Sequence, residues 1–212
     1  MSERTGERVV SDEELLDAAL EAFARDGFAG TSVREVARTL GVSHNLIPQR
    51  FGSKERLWYA AVDHGFSRLL ADLLPLATEP FPDDVARLRA WMVRFVEANA
   101  ARPALLRIIN REAAAPGPRL DYLFERYIKP VGELGAQLLA DLHRRGEVAT
   151  TSVALVYFLL THGAGGPTTF PALAERFGEP VEPGDPAAVR HHARAAVDVL
   201  FDGLRGRHPA AE

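Results

Sequence analysis

The sequence predicts an all-α protein of about nine helices: a small N-terminal three-helix unit, then a larger C-terminal helical bundle. Three observations carry this. Apolar residues recur at helical spacing along most of the chain, as in Leu15, Leu16, Ala19, Leu20 and Phe23. Ser-x-x-Glu signals precede two of these runs, and glycine follows them. No run alternates apolar and polar residues as a half-buried strand does.

In order along the chain, the first helix is expected over 12–26, with Ser11 and Glu14 at capping-box spacing and Gly27 ending it. Ser32 with Glu35 opens a short second helix, whose apolar side is Val33, Val36, Ala37 and Leu40, and Gly41 stops it. Ser43 is placed to cap a third short helix reaching about Phe51, and Ser53 to cap a long fourth carrying Leu57, Ala61, Leu69 and Leu73. Pro75 and Pro80-Phe81-Pro82 break the pattern. Leu88, Trp91, Met92 and Phe95 mark the fifth helix, and Pro103 suits the first turn of the sixth. Pro116-Gly117-Pro118 ends that one, and a seventh spans 119–145 with a kink expected at Pro130. The eighth is read at 150–162. A long connection follows from Gly163 to Asp185, with room for a helical turn near Leu173, and the ninth helix covers 186–205. Two domains are expected, 8–68 and 69–212, with the fourth helix linking them.

Composition narrows the function classes. The 212 residues are 47% hydrophobic and 25% charged, which is ordinary globular usage. With no cysteine, a disulfide framework, thiolate catalysis and cysteine-held zinc or iron–sulfur centres are excluded, and a cytoplasmic setting is expected. The polar, acidic start of the chain does not read as a secretory signal. Val148 to Ala174 lacks charge, but its continuous apolar run is only Val153 to Leu160, short of the roughly 20 residues a membrane span needs. No membrane association is expected. There is no phosphate-loop, Gly-x-Ser-x-Gly or His-Glu-x-x-His motif, so no enzymatic activity, cofactor or metal is expected.

The net charge of −4 gives no bulk reason to expect a nucleic-acid ligand, so any such reading must be local. Residues 32–51 supply one: a short helix, a glycine-containing turn and a second short helix. Ala37 and Gly41 allow a steep, close crossing, and Val36, Val42 and Ile47 fill the space between. The outer side of the second helix then carries His44, Asn45, Gln49 and Arg50, all able to hydrogen-bond base edges or phosphates. Over residues 31–56, Arg34, Arg38, Arg50, Lys54 and Arg56 face only Glu35 and Glu55. On pattern alone, a DNA-binding helix-turn-helix and a plain structural bundle both remain open.

Residues 9–62 resemble the N-terminal domain of TetR-family transcriptional regulators. The matching text is LLDAALEAFARDGFAGTSVREVARTLGVS, then a short helix, then FGSKERLWYAAV. The resemblance implies a homodimer paired through the eighth and ninth helices. The third helices would enter successive major grooves of a palindromic double-stranded DNA operator about 34–36 Å apart. A small-molecule effector of unknown identity, held in the C-terminal half, would shift the N-terminal units and release the DNA. By that resemblance Ser43, His44, Asn45, Leu46 and Gln49 lie on the reading segment. Ser32, Arg34 and Lys54 lie at or near phosphates, and Arg50 sits where a phosphate-contacting histidine is frequent. Pro48 stands where the family usually has tyrosine. The missing N–H predicts a third helix that is kinked or starts late.

Trp91, Phe95, Tyr127, Phe158 and His162 are the expected effector-binding residues, with His162 as the polar handle of an apolar pocket. Val153, Val156, Leu159 and Leu160 are too apolar to leave wet and are expected at a dimer face or, as the alternative, in the intrachain core. The resulting reading is a ligand-responsive repressor. Its alternative is a helical small-molecule-binding or interaction protein that has lost DNA binding.

Overall fold

The structure, a computed structural model, describes residues 10–205, and all regular elements among them are helical. Helix α1 (Asp12–Gly30) opens on a reciprocal capping box: Glu14 N donates to Ser11 Oγ at 3.1 Å, and Ser11 N to Glu14 Oε2 at 3.0 Å. Asp12, Glu13 and Glu14 place negative charge at the positive end of its dipole. Gly27 takes φ +72°, so the regular helix stops there as the sequence predicts, although one more helical turn runs on to Gly30.

Helix α2 (Val33–Leu40) is capped by Ser32, and its Glu35 carboxylate turns to Arg38 instead of completing a capping box. Gly41 ends it in the left-handed conformation, and Val42 N donates to Ala37 O. Helix α3 (Leu46–Phe51) is six residues long, and Ser53 caps α4 (Lys54–Leu73). Helix α4 is pressed between neighbours. A Cβ on its Gly65 would lie 2.9 Å from both Leu20 Cδ2 of α1 and Leu105 Cδ2, so a side chain there would have to push two buried leucines aside.

A 3₁₀ turn (Leu74–Ala77) leads to α5 (Asp84–Ala100) and α6 (Pro103–Glu112). Helix α7 (Pro118–Leu123) passes through a π turn (Phe124–Ile128) into α8 (Lys129–Arg144). Helix α9 (Val153–Phe158) likewise runs into a π turn (Leu159–Ala164). Two short helices, α10 (Gly166–Thr169) and α11 (Pro171–Phe177), precede the long α12 (Pro186–Arg205). Helix α12 packs on α5, where Arg190 Nε reaches Glu97 at 2.9 Å and Arg89 pairs with Asp198. A continuous core runs from Leu15, Phe23 and Trp58 through Leu105 and Met92 to Phe201. Burying each such side chain contributes about 1.5–3 kcal/mol.

Four expectations are corrected. Among the described residues the helical path is divided into more segments than nine, because a π turn splits the seventh run and two short helices form in the connection before the last. The break near Pro130 is the π turn just before it, where Lys129 N bonds Phe124 O, and Pro130 itself sits harmlessly in the first turn of α8. The connection after Gly163 is largely helical. Ser43 does not cap α3 with its side chain, since that helix begins at Leu46 with no side-chain cap.

Candidate nucleic-acid interface

The late start of α3 accommodates Pro48. Leu46 N donates to Ser43 O in a turn, and the first bond of α-helical span is Gln49 N to Asn45 O at 3.0 Å. Pro48 is therefore the third helical residue, where a backbone N–H has no intrahelical acceptor. Of the two expected outcomes, the structure adopts the late start. The helix is about 9 Å long at 1.5 Å per residue.

Ile47, 1% exposed, anchors α3 in the same core as Val36 and Ala37 of α2 and Leu57 and Trp58 of α4. That orientation leaves Ser43, His44, Asn45, Pro48, Gln49 and Arg50 exposed and Leu46 half-buried. Ser32 and Arg34 are exposed at the start of α2. The side chains assigned to DNA by resemblance thus share the outer surface of one helix-turn-helix.

Two of its cations are already engaged. Arg50 Nη1 donates to Asp12 Oδ1 at 2.7 Å and to Val10 O at 3.1 Å, folding back on the start of α1. Lys54 Nζ donates to Ala29 O at 3.2 Å and lies 4.9 Å from the centre of the Phe28 ring. Lys54 is thereby braced at the N-terminus of α4, next to its free backbone N–H groups.

The C-terminal half holds two adjoining chambers of about 30 Å³ each, room for one or two waters. The first lies among Phe66, Leu106, Ile109 and Tyr127, with Asn99 and Thr161 as its polar groups. The second lies among Trp91, Met92, Leu139, Gly132 and Gly135. Phe95, Val131 and Tyr157 border both. Trp91, Phe95 and Tyr127 line these chambers. Phe158 and His162 do not. Phe158 is 59% exposed, and His162, four residues on along the same outward face, bonds Asn110 Oδ1 at 3.1 Å and Thr161 Oγ1 at 2.8 Å. Asn99, Tyr157 and Thr161 were not anticipated. Asn99 is nonetheless detectable as a lone amide four residues after Phe95 on an apolar face, and Tyr157 as the one phenol in the Val153–Leu160 run.

Asp63 of α4 accepts from the hydroxyls of Tyr122 and Tyr127, each at 2.5 Å, and Arg126 Nε donates to the Tyr127 hydroxyl at 3.0 Å. Burial, then the Asp63 carboxylate, push both phenols up, Tyr127 to about 12. Tyr127 also stacks on Phe66, ring centres 4.2 Å apart.

A third concavity, about 660 Å³, lies between α9 and α12, with Leu155, Leu159, Ala196, Val199 and Leu200 along it. The apolar residues of this region divide between core and surface. Val156 and Leu160 are core, whereas Leu155, Leu159 and Val199 are 53%, 43% and 76% exposed.

A helix-turn-helix with an outward polar face is joined by a shared helix to a helical half containing an apolar cavity, the architecture to which the comparisons with known proteins apply. Residues 15–61 match the family model for bacterial regulatory proteins, tetR family. That match runs from α1 into α4. It is 42% identical over 50 residues to the HTH-type transcriptional repressor Rv3405c of Mycobacterium tuberculosis, covering 24% of this chain and 27% of that protein. The aligned region thus spans only about a quarter of the length of that relative. Against the HTH-type transcriptional regulator RutR of Escherichia coli K12 the identity is 26% over 149 residues, covering 69% and 68% of the two chains. The fold is similar to the ketosteroid transcriptional regulator KstR2 of Mycobacterium tuberculosis, at TM-score 0.68 and 22% identity over 96% of this chain and 100% of that one. It is also similar to the TetR family transcriptional regulator PfmR of Thermus thermophilus, at TM-score 0.64 and 20% identity over 96% and 100%. Among the described residues no helix is long and apolar enough to cross a membrane.

Proposed function

We propose that the protein is a cytoplasmic, homodimeric repressor without enzymatic activity, released from a palindromic operator by a small molecule. Residues 8–68 form the DNA-binding unit and 69–212 the effector-binding and dimerisation unit. The observation that carries the reading is the buried Ile47 beneath an exposed row of His44, Asn45 and Gln49. This arrangement presents base-reading groups outward from a rigid support. Ser32, Arg34, Lys54 and Arg50 fix register on phosphates, and Leu46 and Pro48 meet the groove with apolar surface. Helices α9 and α12 pair two copies, which gives two reading heads to a helix too short to hold DNA alone.

The effector chambers lie against α4, and Asp63 of α4 is the partner of Tyr127 in their wall. A ligand that displaces Tyr127 therefore acts directly on the helix that begins with Lys54. Fluorescence-anisotropy titration of DNA from the promoter beside the protein's own coding sequence tests the reading. Tight binding with steep salt dependence is expected, weakened by Arg50→Ala with Lys54→Ala. The engagement of Arg50 with Asp12 favours a second reading, a helical small-molecule-binding protein without DNA affinity. Absent or salt-insensitive binding decides for it.

A further inference from the structure

The chamber walls carry information about what enters them. Neither chamber has a charged side chain in its lining. The carboxylate bonded to the lining residue Tyr127, Asp63, is occupied by two hydroxyls and lies 3.6 Å from Arg126 Nε. Burying an unpaired ion in such a space is prohibitive.

The polar groups that do face the first chamber are neutral, and two have unused capacity. Asn99, 5% exposed, spends its Nδ2 on Phe95 O at 2.8 Å and leaves Oδ1 without a partner among the described residues. The Tyr157 hydroxyl has no protein partner among them either, and burial alone pushes this phenol up to about 12. Thr161, by contrast, donates to Tyr157 O at 2.8 Å. An acceptor and a donor thus await one small neutral group.

The second chamber is kept open by the sequence. Gly132 and Gly135 stand three residues apart on one face of α8 and form its floor. A Cβ on Gly132 would meet nothing within 4 Å. Glycine is the poorest helix former after proline, so packing alone gives no reason for two in mid-helix. Both π turns also deliver wall residues, Tyr127 and Ile128 from one, Leu160 and Thr161 from the other. Such turns concentrate at functional sites.

We propose that the effector is an uncharged, mainly hydrocarbon molecule with one hydroxyl-type group. That group lies between Asn99 Oδ1 and the Tyr157 hydroxyl, and the hydrocarbon extends over the Gly132–Gly135 floor once the Phe95–Val131–Tyr157 partition yields. This rests on the reading of 69–212 as an effector-binding unit.

The test uses the full chain and three probes of equal length: 1-octanol, octanoate and octylammonium. Binding is followed by thermal shift and by emission of Trp91, which lines the second chamber. Octanol is expected to bind at least about tenfold more tightly than either ion. Tyr157→Phe, which preserves shape, should weaken octanol about tenfold, and Gly132→Leu, which fills the floor, should abolish its binding. Octanol failing to bind, an ion binding as well as octanol, or octanol indifferent to both variants overturns the proposal. Operator affinity of the ligand-free protein is measured on the same samples. Loss of that alone refutes the regulator reading and leaves the ligand class standing, and the reverse result does the opposite.

Discussion

Tyr127 donates its hydroxyl to Asp63 Oδ1 at 2.5 Å, fastening the π turn ahead of α8 to the middle of α4. Tyr127→Phe keeps the stack on Phe66 and deletes this bond together with the one the hydroxyl accepts from Arg126 Nε. The site is partly exposed, so the expected loss is about 1 kcal/mol, the low end for a hydrogen bond to a charged acceptor. Urea denaturation measures it, and an unchanged midpoint would show that the contact adds nothing to the fold.

The raised phenols give the protein an alkaline limit. Tyr127 and Tyr157 sit at about 12 in the folded chain, above the ordinary tyrosine value near 10. Their protonated forms are the ones folding favours. That stabilisation is fully present below about pH 10 and is lost as pH rises through about 12. Tyrosinate absorbance combined with urea midpoints at stepped pH follows the loss. All four tyrosines ionising together near pH 10 in the folded protein would contradict it.

Pro48 occupies a position where no helical hydrogen bond is at stake. Pro48→Ala should therefore stabilise by less than about 1 kcal/mol, whereas relief of an interior proline would be worth about 3 kcal/mol. Chemical denaturation distinguishes the two, and a gain near the larger value would show that α3 is strained.

Phosphate and base contacts should separate in binding experiments. Lys54→Gln is expected to weaken all duplexes alike and to lower the log–log salt slope by about 0.9. Asn45→Ala should instead leave the slope in place and cost about 1–3 kcal/mol of discrimination between operator and scrambled DNA. Identical behaviour of the two variants would remove the distinction drawn between α3 and the start of α4.

The exposed apolar row between α9 and α12 predicts an assembly phenotype. Leu155→Glu with Val199→Glu should convert the dimer to a folded monomer in light scattering, with normal helicity and lost operator affinity. A dimer that survives both charges places the subunit contact elsewhere.

Much of the N-terminal architecture was legible in sequence because it is written in local signals. Ser11 with Glu14, Ser32, Gly41 and Ser53 act within a few residues, and each performs its predicted capping or terminating role. The outward placement of His44, Asn45 and Gln49 was legible too, since Ile47 fixed which side of the short segment turned inward. The C-terminal half was harder. Phe158 and His162 were read for their chemistry, whereas the inward side of α9 and its π turn is set by Val156 and Leu160, which leaves Phe158 and His162 on the opposite face. The Asp63 contact joins residues about sixty apart, and no local spacing encodes it. Arg50 was read for its chemistry alone, whereas its partner Asp12 lies 38 positions away.

The bend in α1 has an evolutionary corollary. Arg111 of α6 donates to Arg25 O at 3.1 Å, and its Nη1 lies 2.6 Å from where a Cβ on Gly27 would stand. Any descendant that acquires a side chain at 27 must shorten or relocate the one at 111 in the same lineage, so these two columns are expected to change together when orthologous genes are compared.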